Sequence, residues 1–182
     1  MSLIPGVIAS GISGHLGGNY TSIATVNASG SSNTVNFSSI PNTYTHLQIR
    51  GSMIGASGGS ILVAVFNGDT GANYTWHELD GNGSGIAAYS GTGNNYARFY
   101  GRNVGTSATY PTASIVDILD YTNTNKNKVL RSLAGMDANG SGEVAFASSA
   151  WLNTSAINSI VVKTHDGTNF ATGTQFALYG VK

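Results

Sequence analysis

A chain of 182 residues is long enough for one sizeable core, and nothing in its layout suggests two. Only 9% of its residues are charged, where ordinary globular domains carry about 25%, and eight basic side chains balance eight acidic ones. That balance supplies no basic patch for a phosphate backbone, which argues against a nucleic-acid partner, and the lack of cysteine excludes disulfides and thiolate metal sites.

The first twenty residues, MSLIPGVIASGISGHLGGNY, contain no acid, lysine or arginine. A secretory signal needs a positive start and an unbroken apolar run of roughly 7–15 residues, and Pro5, Gly6, Ser10, Gly11, Ser13 and Gly14 break this one. The same proline and glycines disfavour a membrane-spanning helix, so no membrane partner is expected. The stretch reads as an extended N-terminal arm, residues 1–20, ahead of a β-sandwich domain at 21–182. Its apolar residues Ile4, Val7, Ile8, Ile12 and Leu16 are expected to be buried on a partner, by adding a strand to an open sheet edge. The competing reading folds the arm back as the first strand of its own sandwich.

From residue 21 onward, short β-branched and apolar runs alternate with Asn-Gly, Asp-Gly and Ser/Gly clusters, the pattern of an all-β protein. Strands are expected near 21–27, 33–39, 44–54, 60–67, 73–79, 95–103, 113–121, 128–136, 142–148, 157–164 and 174–181, with helix nearly absent. The expected architecture is a jelly-roll-like antiparallel β-sandwich. In the strand near 113–121, Ile115, Asp117 and Leu119 interleave with Val116, Ile118 and Asp120, so both sets hold apolar residues. That strand is expected to be buried on one face and partly covered on the other. Asn67-Gly68, Asp80-Gly81, Asn82-Gly83, Asn139-Gly140 and Asp166-Gly167 carry the positive-φ chemistry of tight turns. Gly83 to Asn95, GSGIAAYSGTGNN, reads as a long loop with Tyr89 isolated inside it, and the lysines of TNTNKNK (122–128) read as solvated.

Motifs that suggest chemistry dissolve on inspection. WHELD (76–80) begins like a zinc-protease motif but has Gly81 where the second histidine belongs, and on a strand His77 and Glu78 point to opposite faces. Trp76 and Glu78 would share a face with Tyr74. FNGDTGAN (66–73) lacks the spaced carboxylates and closing glutamate of a calcium loop and reads as a turn. The carboxylates Asp69, Glu78, Asp80, Asp117, Asp120, Asp137, Glu143 and Asp166 offer no evident catalytic pair. Asp117 and Asp120 are expected to bond Arg131 or a turn. The histidines are scattered, no nucleophile elbow precedes a helix, and the glycine clusters open no phosphate-cradling helix. No cofactor, no metal and no enzyme is read here. Asn-x-Ser/Thr triplets at Asn19, Asn73 and Asn153 follow from composition alone. Tyr96, Phe99, Tyr100, Tyr110 and Tyr121 suit either a sugar platform or core packing.

The phrases IPGVIASGISGHL, FSSIPNTYTHLQIRG, FNGDTGANYTWHELDGNG, DILDYTNTNKNKVLRSLAGMDANGSG and NFATGTQFALYGVK occur in order along most of the chain. Together they resemble a family of small β-rich structural proteins of tailed bacteriophages, including cyanophages. The resemblance implies a virion protein made in the bacterial host cytoplasm, without catalytic residues to transfer. The leading expectation is a capsid cement or decoration protein on the outer surface of the major capsid protein, as a homo-oligomer, trimer or dimer, that stabilises the head. The alternative is a tail-fibre or baseplate protein recognising host glycan through Tyr89 and Tyr100. A carbohydrate-active enzyme is the more distant third reading.

Overall fold

The computed structural model describes residues 19–58 and 60–182. Its elements are all strands: β1 (Tyr20–Asn27), β2 (Thr34–Phe37), β3 (His46–Met53), β4 (Leu62–Phe66), β5 (Tyr74–Gly81), β6 (Ile86–Asn94), β7 (Ala97–Tyr100), β8 (Thr112–Leu119), β9 (Lys128–Asp137), β10 (Gly142–Trp151), β11 (Ile160–Thr164) and β12 (Gln175–Val181). No helix in it is long and apolar enough to cross a membrane. Every strand pairing is antiparallel.

The strands form an eight-stranded sheet, in the order β1-β12-β3-β8-β9-β10-β5-β6, and a four-stranded sheet, in the order β2-β11-β4-β7. The molecule is thus an all-β, antiparallel sandwich, unequal in its two layers. The core lies where the inner faces meet, and period-2 alternation builds it. On β8, Thr112, Ser114, Val116 and Ile118 are buried; on β9, Lys128, Leu130, Ser132 and Ala134 are. Sheet-spanning contacts then come from Phe37, Phe66 and Ile160 on the small sheet and Leu47, Ile49 and Leu178 on the large one. At one end Phe66, Tyr74 and Trp151 pack at ring-centroid separations of 5.8–6.3 Å.

Turn chemistry behaves as expected at Asn67-Gly68 and Asn139-Gly140, where both residues have positive φ. The second pair closes the β9–β10 hairpin, with the Ala138 amide donating to the Ser141 carbonyl. Asp80-Gly81 is not a turn: both residues belong to β5, and the reversal comes after them at Asn82 and Gly83. There Asn82 Oδ1 accepts from the amides of Ser84 and Gly85.

Two further expectations give way. The long loop expected from Gly83 to Asn95 is mostly strand β6, which among the described residues is an edge strand paired with β5 alone. An edge strand needs hydrogen bonds on one side only, so its Gly, Ser and Ala content suffices once β5 supplies the template. Lys128 is buried rather than solvated. Its ammonium donates to the carbonyls of Asn123 (2.6 Å), Lys126 (2.9 Å) and Thr154 (2.9 Å), so all three protons have partners, and burial lowers its pKa. Lys126 is exposed and pairs with Asp120 at 2.5 Å.

Candidate functional site

The small sheet covers one face of the large sheet, and the other face carries an apolar surface built by register. Ile115 on β8 lies opposite Leu133 on β9, Leu133 opposite Phe146 on β10, Phe146 opposite Leu79 on β5, and Leu79 opposite Ala88 on β6. Five directly opposed positions therefore form one apolar row across five strands. Ile115 (47% exposed), Leu133 (53%), Phe146 (51%) and Leu79 (53%) are each about half open. A second row holds Ala113, Gly135, Val144, Gly81 and Ile86, and Ile86 at the sheet edge is 82% exposed. Leu119 and Val129 continue the surface toward the opposite strand ends.

Between the first row and Leu119–Val129 runs a polar one: Asp117, Arg131, Ser148, His77 and Ser90. Asp117 accepts from Gln48 Nε2 at 2.8 Å and pairs with Arg131 at 3.5 Å, the partner expected for it. The face thus holds little charge, and most of what it holds is paired within the chain.

The inner side of the same strands carries a different arrangement. Tyr74, Trp76, Glu78 and Asp80 alternate inward along β5 while His77 and Leu79 point out, as the strand reading required. Glu78 lies 3.3 Å from Arg98 Nε, but the two are not aligned for a hydrogen bond, and neither carboxylate oxygen has a hydrogen-bond partner among the described residues. Burial pushes the Glu78 carboxyl above its ordinary range against the opposing pull of Arg98. Arg98 stacks 4.1 Å over the Trp76 ring and donates to the Gly101 carbonyl. Arg102 bonds Asp80 and sits 3.7 Å from Glu143, whose Oε1 accepts from the Tyr100 hydroxyl at 2.9 Å. Gly101 is the hinge of this packing, since a Cβ there would lie 2.1 Å from Arg98 Nε.

Three carboxylates scattered in sequence are therefore neighbours in space. Sequence reading missed them because only the β5–β10 register and the approach of the β7–β8 connection bring them together. The signal available in advance was the strand parity of Glu78 and Asp80, which puts both on one face. Two of the three are buried: the Glu78 side chain fully and Asp80 nearly so, each set against an arginine. Such pairing makes a packed inter-sheet joint, with Glu143, 16% exposed, at its outer margin.

The other expected positions are dispersed. Ile4, Val7, Ile8, Ile12 and Leu16 of the arm lie outside the described residues. Tyr100 is fully buried with its hydroxyl committed to Glu143, so it offers no face to a glycan. Tyr89 is exposed on β6, with Arg102 5.5 Å from its ring centroid. Phe99 and Tyr121 are core residues, and Tyr110 is exposed. FNGDTGAN is a locked turn: the Asp69 carboxylate accepts from Trp151 Nε1 at 2.7 Å, Asn73 Nδ2 at 2.9 Å and the Gly71 amide at 2.9 Å. Among the described residues, no three His, Cys, Asp or Glu side chains gather in a way that could hold a metal ion. Compared with known proteins, the chain matches no family model, no curated protein and no solved structure.

Proposed function

We propose that this chain is a structural component of a large protein assembly, and in particular a bacteriophage head decoration protein that binds the outside of the major capsid protein and stiffens the shell. The observation that carries the reading is the apolar outer face of the eight-stranded sheet. A surface with four half-open large apolar side chains in one row is characteristic of a surface that is covered in the working state. A chain with no net charge and few charged groups has little to keep its copies apart, which suits repeated placement on a lattice. The phage assignment itself rests on the resemblance of the quoted phrases. The arm residues Ile4, Val7, Ile8, Ile12 and Leu16 are the proposed contacts with the shell subunit, and the mechanism is binding alone, repeated at many equivalent sites.

The tail-fibre reading keeps Tyr89 as an exposed aromatic but loses Tyr100 to the interior. Quantitative mass spectrometry of purified particles separates the two. A copy number equal to that of the shell subunit, or a simple fraction of it, supports decoration; a handful of copies per particle overturns it in favour of the tail.

A further inference from the structure

We infer that the outer face of the eight-stranded sheet is a self-association surface on which a second copy of this chain stacks, sheet against sheet, about a two-fold axis. The inference rests on the assembly reading only for its purpose; its geometry stands on the face alone.

Size is the first argument. The exposed apolar side chains of this face sum to roughly 700 Å², close to the ~800 Å² that each partner contributes to a standard specific interface. Most of it lies in the two adjoining apolar rows, at the upper end of the largest apolar patch of most monomers, about 300–600 Å².

Self-complementarity is the second argument, and it selects a second copy over an unlike partner. Stacked sheets keep their strand directions within about 30° of each other. A two-fold axis lying in the interface, parallel to the strands and between β9 and β10, preserves each row while exchanging the strands. Leu133 then faces Phe146 of the second copy, and Ile115 faces its Leu79. Val144 meets the flat spot left by Gly135, so bulk is set against a gap in the neighbouring row. In the polar row, Asp117 falls opposite His77 of the second copy and Arg131 opposite its Ser148, so neither charge meets its like. All these positions follow from one register, Ile115–Leu133–Phe146–Leu79 with its flanking rows two residues either side. An unlike partner would require only shape on its own side, whereas here bulk, gap and charge match within a single face, as an isologous contact demands.

The test is sedimentation equilibrium of the full chain, free of any shell protein, from about 1 to 100 µM, the range in which weaker interfaces of this size dissociate. A monomer–dimer equilibrium is expected, and Leu133→Asp is expected to raise its dissociation constant at least about 100-fold by burying an unpaired charge. Circular dichroism and a thermal melt on the same sample establish that the variant is folded. Because the chain has no cysteine, Ser148→Cys supplies a single thiol beside the proposed axis. A short bismaleimide should convert that variant to covalent dimer, while the same reagent on Thr124→Cys, in the β8–β9 loop, should not. A wild-type chain that stays monomeric throughout overturns the inference, including the case in which its own first 18 residues cover the face. So does a dimer that Leu133→Asp leaves intact, or one that crosslinks equally at both cysteines. None of these outcomes bears on copy number in the particle, so failure here and failure of the decoration reading are told apart.

Discussion

Asp69 and Glu78 are carboxylates on neighbouring stretches with opposite electrostatics, and each gives the fold a different pH response. Asp69 is held below the ordinary carboxylate range, first by the Trp151 indole N–H and then by Asn73. Its contribution is present above the unfolded value of 3.8 and is lost as pH falls through the lower folded value. Asp69→Ala leaves the buried indole N–H without its acceptor, and chemical denaturation at neutral pH should record a loss of about 1–3 kcal/mol. Glu78 runs the other way. Burial raises its folded pKa above the unfolded 4.5, so its contribution is full below 4.5 and lost as pH rises through the folded value. Glu78→Gln should therefore be at least as stable as the parent at neutral pH, with the difference shrinking toward pH 4.5, as read by thermal melts across the range. A variant much less stable than the parent at neutral pH would mean that the Arg98 attraction outweighs the burial.

At the scale of elements, legibility followed burial asymmetry. Strands β9 and β10 were readable because one face of each is buried, which leaves alternation in the sequence; β8 was readable for the same reason. The apolar character of its second face was also in the sequence, at Ile115 and Leu119, and pointed to a covering layer. Among the described residues that face stays half open, with Ile115 and Leu119 exposed. Strand β6 was not readable, since residues such as Ala88, Ser90 and Gly91 carry no alternation and the strand exists by virtue of its neighbour. The Glu78–Asp80–Glu143 grouping was hidden for a deeper reason: register between strands sets it, and no local pattern encodes register. The dependence of β6 on β5 has a measurable result. Backbone amides of β6 bonded to β5 should exchange with solvent at least about 100-fold faster than those of β8 and β9, which are flanked on both sides. Equal protection in native-state exchange would mean that the edge is covered by something other than β5.

For the molecule as a whole, the unequal sandwich divides its labour between faces. The small sheet closes the core on one side of the large one, the arginine-lined joint at Arg98 and Arg102 fastens the β5 end, and the remaining broad face is the one proposed for contact. In the proposed dimer, stability and association are carried by different side chains on the same strands, through nothing more than the alternation of neighbours. Residues such as Leu133 and Phe146 should be replaceable with small effect on folding and large effect on assembly.

The position of β12 has a consequence for how the large sheet closes. It lies between β1 and β3, with Val181 opposite both Tyr20 and His46, so a strand late in the sequence joins β1 to β3. Closing that pairing spans nearly the whole chain, which makes it late and slow by the logic of contact order. Until β12 is in place, β1 has no partner strand among the described residues and β3 is paired on its β8 side alone.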